Sequence, residues 1–370
     1  MSNLHAGHRI ALIGRTAVVA ALTLSIVGCS SGRGRVGPRV TVAPPRSPAG
    51  STTQPPAPPA AADRHQPRLV PALRVRVTDA RGTGIMTLPL EEYVLGAVRA
   101  ELLPRTLQEG AADPLIQVQA IVSRTYAIAN LGRHAAEGFD LCDSAHCQLY
   151  RPGLRTEGPT DRVARVVAET REEVVTFEGR VIQALFHSNC GGHTTSASSV
   201  WGGPDQPYLR PVVDTFCASM SPGDWTFAVT ESDLRRALNS DPRTAVGSTL
   251  HRIEVTDRNE SGRAGLLTLA GSRTPMVRAE EFRAVMGRVF GPQAIRSTWF
   301  TVSRRDGRFV FAGVGYGHGV GLCQVGATLR ARSGQSPIEI IAHYFPGTRV
   351  ERAAVALALP SQPLHIGEIP

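Results

Sequence analysis

Leu90-Glu91-Glu92-Tyr93-Val94-Leu95-Gly96-Ala97-Val98-Arg99-Ala100-Glu101 is the stretch from which the rest of the chain is read. It opens as a helix just after Pro89. Val94, Ala97 and Val98 recur at the three- and four-residue spacing of one buried face. The same spacing carries on to Glu101, whereas Glu92 lies out of phase and faces water. A carboxylic acid on an apolar stripe sits where its charged form is disfavoured, which raises its pKa toward the range useful to a general acid. The alternative is a helix-end carboxylate satisfied by local N–H groups or by an arginine, because structural ion pairs perturb carboxylates too.

The next segment supports a constructed site. Asp113-Pro114 reads as a helix start, with an acceptor at the cap and a proline at the first helical position. Leu115 to Tyr126 then runs with apolar residues nearly all round, as in a buried helix. Gln119, Arg124 and Tyr126 on it need partners inside the protein or in a cleft.

Four separated segments carry a family resemblance: Leu90 to Pro104, Gln117 to Ala127, His146 to Gly153 and Gly315 to Ala327. Together they resemble the signature of the stage II sporulation protein D / LytB amidase-enhancer family, over roughly residues 68 to 350 and in family order. The resemblance implies a peptidoglycan lytic transglycosylase in which Glu101 is the catalytic acid. It also implies substrate contacts from Gln148, Tyr150, His187, Ser188, His318 and Gln324, beside Gln119, Arg124 and Tyr126. Its implied partners are glycan strands already stripped of peptides and an amidase acting upstream. The name covers non-catalytic amidase enhancers as well. One departure is the segment from Leu102 to Ala112, longer than the family's usual link between the two helices.

Residues 1–29 read as a targeting segment. Arg9 and Arg15 precede an apolar run too short for a convincing transmembrane helix. Ile26-Val27-Gly28-Cys29 resembles a bacterial lipoprotein box, with Cys29 lipidated; an ordinary secretory signal and a short anchor are the alternatives. All three place the protein outside the cytoplasm, and the first anchors it to the membrane facing the cell wall or periplasm. Residues 30–66, rich in Pro, Ala, Gly and Ser, cannot bury a core and read as a spacer. Residues 67–355 follow as the folded domain and 356–370 as a tail.

The formal net charge of +9 is unevenly spread. Arg9 and Arg15 lie in the leader, and Arg33, Arg35, Arg39, Arg46 and Arg64 outweigh Asp63 in the spacer, so only +3 remains for the folded part. Every basic residue is arginine. The high isoelectric point therefore belongs to anchor and spacer, and nucleic acid is not an expected partner.

Within the folded part, Leu73, Val75 and Val77 alternate as a strand. Arg165 to Thr176 and Arg180 to Phe186 read as strands joined by a Glu178-Gly179 turn. Ser232 to Asn239, Glu280 to Met286 and Pro337 to Tyr344 read as helices. Leu250 to Thr256, Gly265 to Leu269 and a Trp299–Ser303/Arg308–Ala312 hairpin read as strands. The expected class is α+β, a mixed two-lobed domain with a buried helical pair and several antiparallel hairpins.

The remaining chemistry lies in cysteines and glycines. Cys142, His146 and Cys147 can converge on one zinc ion, a reading the family resemblance supports; a Cys142–Cys147 disulfide is the alternative in an exported protein. Asp143 is placed to orient His146. Cys190 and Cys217 form a possible disulfide, with Cys323 far along the chain. The alternating glycines from Gly315 to Gly321 make a tight loop presenting His318 and Gln324. They lack the Gly-Lys-Ser/Thr ending of a phosphate cradle. An ordinary glycosidase uses two carboxylates, and Asp140, Asp143 and Asp214 are the weaker candidates for a second.

Overall fold

The computed structural model describes residues 72–80, 82–102, 112–152, 161–220 and 223–353. The expected leader with Cys29, the spacer, the domain's first residues and the tail lie outside them, as does most of the segment linking the first two helices. Among the described residues no helix is long and apolar enough to cross a membrane.

The alternation at Leu73, Val75 and Val77 becomes β1 (Leu73–Asp79), which buries those three side chains and pairs antiparallel with β2 (Gly82–Leu88). Pro89 caps α1 (Leu90–Glu101), with Tyr93, Val94, Ala97 and Val98 inward and Glu92 exposed. α2 (Asp113–Ala129) is buried almost throughout. Its cap is Ala112, one residue before the expected Asp113, whose carboxylate pairs with Arg162 instead. β3 (Leu141–Cys142) then joins β1 in parallel.

One expected strand is corrected. Its first half is a helix, α3 (Arg162–Glu169), and only its end is β4 (Glu173–Phe177). The Asp161 carboxylate accepts hydrogen bonds from the N–H groups of Val163 and Ala164, a cap that starts the helix. Val166 and Val167 then pack inward, so the tertiary contact outweighs the β preference of valine. The turn at Glu178 (φ 50°) and Gly179 (φ 74°) leads antiparallel into β5 (Arg180–Val181) as the sequence suggests, but the strand expected to reach Phe186 ends there, and residues 182–185 are irregular. β6 (Phe186–His187) and two short helices, α4 (Ala197–Trp201) and α5 (Thr215–Ser219), follow.

The chain then builds a second core. It consists of β7 (Trp225–Thr230), α6 (Glu231–Leu238), β8 (Leu250–Arg258), β9 (Ala264–Gly271), β10 (Met276–Arg278), α7 (Ala279–Phe290), β11 (Phe300–Arg305) and β12 (Arg308–Gly313). Two three-stranded antiparallel sheets, β11-β12-β7 and β10-β9-β8, enclose a cluster of phenylalanines. The chain returns to the first core through the glycine loop, β13 (Leu322–Cys323), α8 (Gln324–Arg332), α9 (Pro337–Tyr344) and β14 (Arg349–Arg352). β13 pairs in parallel with β6, and β14 with β4 antiparallel. The architecture is therefore α+β with two cores, the second inserted into the first. At the centre of the first, α2 is packed by α1, α3, α8, α9 and β4.

Candidate active site

Glu101 is the last residue of α1 and is half-buried. Desolvation pushes its pKa up to about 7, against the opposing hydrogen bonds from the Leu149 backbone and the Gln324 side chain. The Leu149 N–H donates to Oε1 at 2.6 Å. No other carboxylate is among the causes, so Glu101 is raised by its surroundings and not by a like charge. The three acids considered as seconds are held elsewhere. Asp140 accepts from the backbone N–H groups of Arg74 and Gly132, Asp143 from that of Thr78, and Asp214 from the Tyr344 hydroxyl and the Cys217 N–H. Asp143 therefore ties down the β1 end and does not orient His146.

Two of the sequence's candidates gather at Glu101 through an amide relay. Gln324, the first residue of α8, hydrogen-bonds Glu101 and donates from Nε2 to Gln119 Oε1 at 3.3 Å. Gln119 Nε2 donates in turn to Ser123 Oγ at 3.0 Å. Tyr126 is buried, its hydroxyl has no hydrogen-bond partner among the described residues, and burial raises its pKa, with Glu101 adding to the rise.

Others on that list are assigned different tasks. Arg124 is not a cleft residue: fully buried, it grips Glu91 with two nitrogens at 2.8 and 2.7 Å and reaches the Glu173 carbonyl. Gln148 and Tyr150 are buried on either side of Leu149 and aim its N–H. Gln148 Nε2 donates to the Ser123 carbonyl, and Tyr150 stacks on Tyr93 at 5.2 Å. Tyr150 also lies against Gly96, where any added Cβ would collide with its ring. Leu149 and Tyr150 line a cleft of about 660 Å³ running from the β1–β2 turn to Pro152.

The glycine loop is tight, as expected, but it does not offer His318 as a titrating group. Nε2 lies 3.0 Å from the Phe186 carbonyl, and Nδ1 accepts from the Val320 N–H at 3.0 Å. With both nitrogens used by backbone, and burial and nearby arginines disfavouring its cation, the ring's pKa falls to about 3. His187 is likewise buried and neutral, with Nδ1 against the Val320 carbonyl at 3.1 Å. Ser188 is half-buried, and its carbonyl accepts from the Val325 N–H. These residues hold the loop so that Gln324 meets Glu101. Gly317, at φ 102°, allows the close approach: a Cβ there would sit 2.8 Å from His187 Cβ.

The cysteine loop is joined by His134, which the sequence reading missed. His134, Cys142, His146 and Cys147 present their donor atoms within 4.8 Å of one another. The sulfurs are 3.2 Å apart, Cys142 Sγ and Cys147 Sγ lie 3.6 and 3.7 Å from His146 Nδ1, and His134 Nε2 lies 3.4 Å from Cys147 Sγ. Tetrahedral zinc bonds imply edges of about 3.8 Å for S···S and about 3.6 Å for S···N, so the donor set fits. His134 Nδ1 is hydrogen-bonded to Glu137 at 2.7 Å, the usual outer support for a metal-binding imidazole. Four protein donors would close such a site and leave no position for a reactive water.

Fold and site together define a two-lobed α+β protein that presents one partly buried acid held by a backbone N–H and an amide relay. A family model described as stage II sporulation protein matches residues 78–177, and one described as a domain of unknown function matches 222–321. An uncharacterized protein of Brachyspira hyodysenteriae is 29% identical over 265 residues, covering 71% of this chain and 67% of its own. Stage II sporulation protein D of Bacillus subtilis is 25% identical over 284 residues, covering 73% and 76%. The amidase enhancer of the same organism is 24% identical over 291 residues, 67% of this chain but 39% of the enhancer. Residues 78–177 thus match the stage II sporulation protein model, and most of the chain is similar to stage II sporulation protein D and to part of the amidase enhancer.

Proposed function

We propose that the chain is an exported peptidoglycan lytic transglycosylase with Glu101 as its single acid and base. The homologues' names support a cell-wall role. The observation that carries the finer reading is the carboxyl group raised to about 7 by desolvation, with one oxygen already fixed by the Leu149 N–H. A carboxyl near neutrality can give a proton in one step and take one in the next. Protonated Glu101 passes its proton to the glycosidic oxygen as the C1–O bond breaks. The carboxylate then removes the proton from the muramic acid's 6-hydroxyl, whose oxygen bonds to C1 and closes a 1,6-anhydro ring. The proton is back on Glu101, and no water is consumed. Leu149 and Gln324 hold the carboxyl group, and Gln119 holds Gln324.

Zinc, carried by His134, Cys142, His146 and Cys147, would supply structural rigidity to the loop that ends in Leu149. Cys29 would carry the lipid, with residues 30–66 reaching from membrane to wall.

Mass spectrometry of glycan strands, with and without stem peptides, tests the reading. Wild-type protein is expected to leave anhydro-muramic ends on stripped strands, and Glu101→Gln is expected to leave none. Hydrated reducing ends would exclude the mechanism. A second reading, the amidase enhancer, has the named homologue in its favour. It predicts no cleavage by either protein, with glycan binding indifferent to Glu101.

A further inference from the structure

A second set of donors lies away from the zinc-binding loop. Cys190, just past β6, Asp214 and Cys217, at the cap and in the body of α5, and Cys323, ending β13, are all buried, with donor atoms within 4.8 Å of one another. The five described thiols are unpaired. Cys323, distant in sequence, thus joins the two cysteines expected to pair with each other, and a disulfide between any two of the three leaves the third thiol facing a buried carboxylate.

The surroundings suit thiolates and a cation between them. The N–H of Cys190 points at Cys323 Sγ (3.2 Å), that of Gly192 at Cys190 Sγ (3.3 Å) and that of Gly326 at Cys323 Sγ (3.4 Å). Asp214 Oδ2 lies 3.5 Å from Cys190 Sγ and accepts from the Tyr344 hydroxyl at 2.7 Å, while Oδ1 accepts from the Cys217 N–H. This is the outer support expected of a ligating carboxylate. Gly326 belongs to the arrangement, because an added Cβ would collide with Asp214 Oδ2 and the Tyr344 hydroxyl.

Charge is the second observation. Arg330 is buried with Nη2 3.5 Å from Asp214 Oδ1. Arg263 is fully buried and donates from Nη2 to the Cys190 carbonyl at 2.7 Å, yet its Nε and Nη1 have no hydrogen-bond partner among the described residues. Glu280 and Arg283 act on Arg263 in opposite directions. With neutral thiols, Asp214 answers Arg330, while Arg263 has only Glu280, itself paired with Arg283, as an acidic neighbour, and an uncompensated buried charge is costly. Three thiolates, one carboxylate and a divalent cation carry a net charge of −2, which the two guanidinium groups neutralise.

We propose that Cys190, Asp214, Cys217 and Cys323 bind a second structural divalent metal ion, zinc by the softness of three sulfurs and the count of four donors. The site ties the β6 end to α5 and to the start of α8. Gln324, the residue after Cys323, is the amide that touches Glu101, so the ion would set that amide's register whatever reaction the site performs.

The test is metal analysis and native mass spectrometry of the full chain purified from its membrane in detergent. Two zinc ions per chain are expected, with all three thiols reduced by intact mass. The Cys142→Ser/Cys147→Ser chain should keep one ion and Cys217→Ser should lose one. Should Cys217→Ser fail to fold, the Cys142→Ser/Cys147→Ser chain loaded with cobalt decides instead: intense thiolate-to-cobalt absorption is expected. One zinc ion in the wild type, or a chain lighter by two hydrogens with two of the three cysteines cross-linked, overturns the proposal.

Discussion

In the second lobe the buried space is filled by rings. Phe282, Phe300 and Phe311 meet at centroid separations of 5.6 to 6.2 Å, with Trp225 and Phe309 around them. In the first lobe α2 carries Gln119, Ser123, Arg124 and Thr125 through the middle of the core. Burying such groups is unfavourable unless each finds a partner, and here each does: Gln324 and Ser123 for Gln119, Glu91 for Arg124, the Ile121 carbonyl for Thr125. One lobe is filled for cohesion. In the other, Gln119 and Ser123 support Gln324 at Glu101, while Arg124 and Thr125 tie helix to helix and strand within the core.

The sharpest way to break that contrast is to remove the acid. Glu101→Gln is expected to lower glycan cleavage by about 10²- to 10⁴-fold, the usual contribution of general acid–base catalysis. The same change should stabilise the fold. The folded pKa of about 7 stands above the ordinary carboxylate value of 4.5, so the folded state binds more protons between those values and wild-type stability falls as pH rises through that window. Removing the buried charge recovers as much as about 3 kcal/mol above pH 7 and nothing below 4.5. Denaturant melts at pH 5 and pH 8 check it. A variant that loses activity and stability together would mean that Glu101 serves the fold.

Phe311→Ala probes the other lobe. Truncating a fully buried phenylalanine is expected to cost about 3–5 kcal/mol of stability, while cleavage per folded molecule, measured well below the melting range, stays within about twofold of wild type. A large fall in activity without loss of stability would erase the division of labour.

A metal chelator gives a smaller effect. Stripping the His134–Cys142–His146–Cys147 site is expected to lower the melting temperature and slow cleavage by loosening Leu149, while the products keep their anhydro ends. A switch to hydrated ends would make the metal a participant.

Much of this contrast was legible where local rules govern. The helical period placed Glu101 on the inner face of α1, the Glu178-Gly179 pair announced its hairpin, and Pro337 to Tyr344 is α9 to the residue. What escaped depends on partners distant in the chain. Arg124 showed that it needed a partner but not that Glu91, one helix earlier, would supply it. His134 reaches the cysteines only because the chain folds back after α2. The insertion of the second core leaves no change of composition at its ends. α3 read as a strand because its cap, Asp161, sits in what looks like loop.

The finest test concerns Gln324, expected from the family resemblance as a substrate contact and found hydrogen-bonded to Glu101. Its hydrogen bond favours the Glu101 carboxylate, opposing the desolvation that raises the pKa. Gln324→Ala removes that opposition, so the pKa rises further. A general acid works while protonated, and wild-type kcat/KM is therefore expected to fall with increasing pH above about 7. In Gln324→Ala the falling limb should move to higher pH by about one unit, because a hydrogen bond to a charged group contributes about 1.5–3 kcal/mol and one pKa unit corresponds to about 1.4 kcal/mol. The plateau below the limb should drop at the same time, since the carboxyl group is no longer fixed for proton transfer. A limb that moves to lower pH would show that Gln324 favours the protonated acid. An unmoved limb with a lowered plateau would make the amide a contact to sugar.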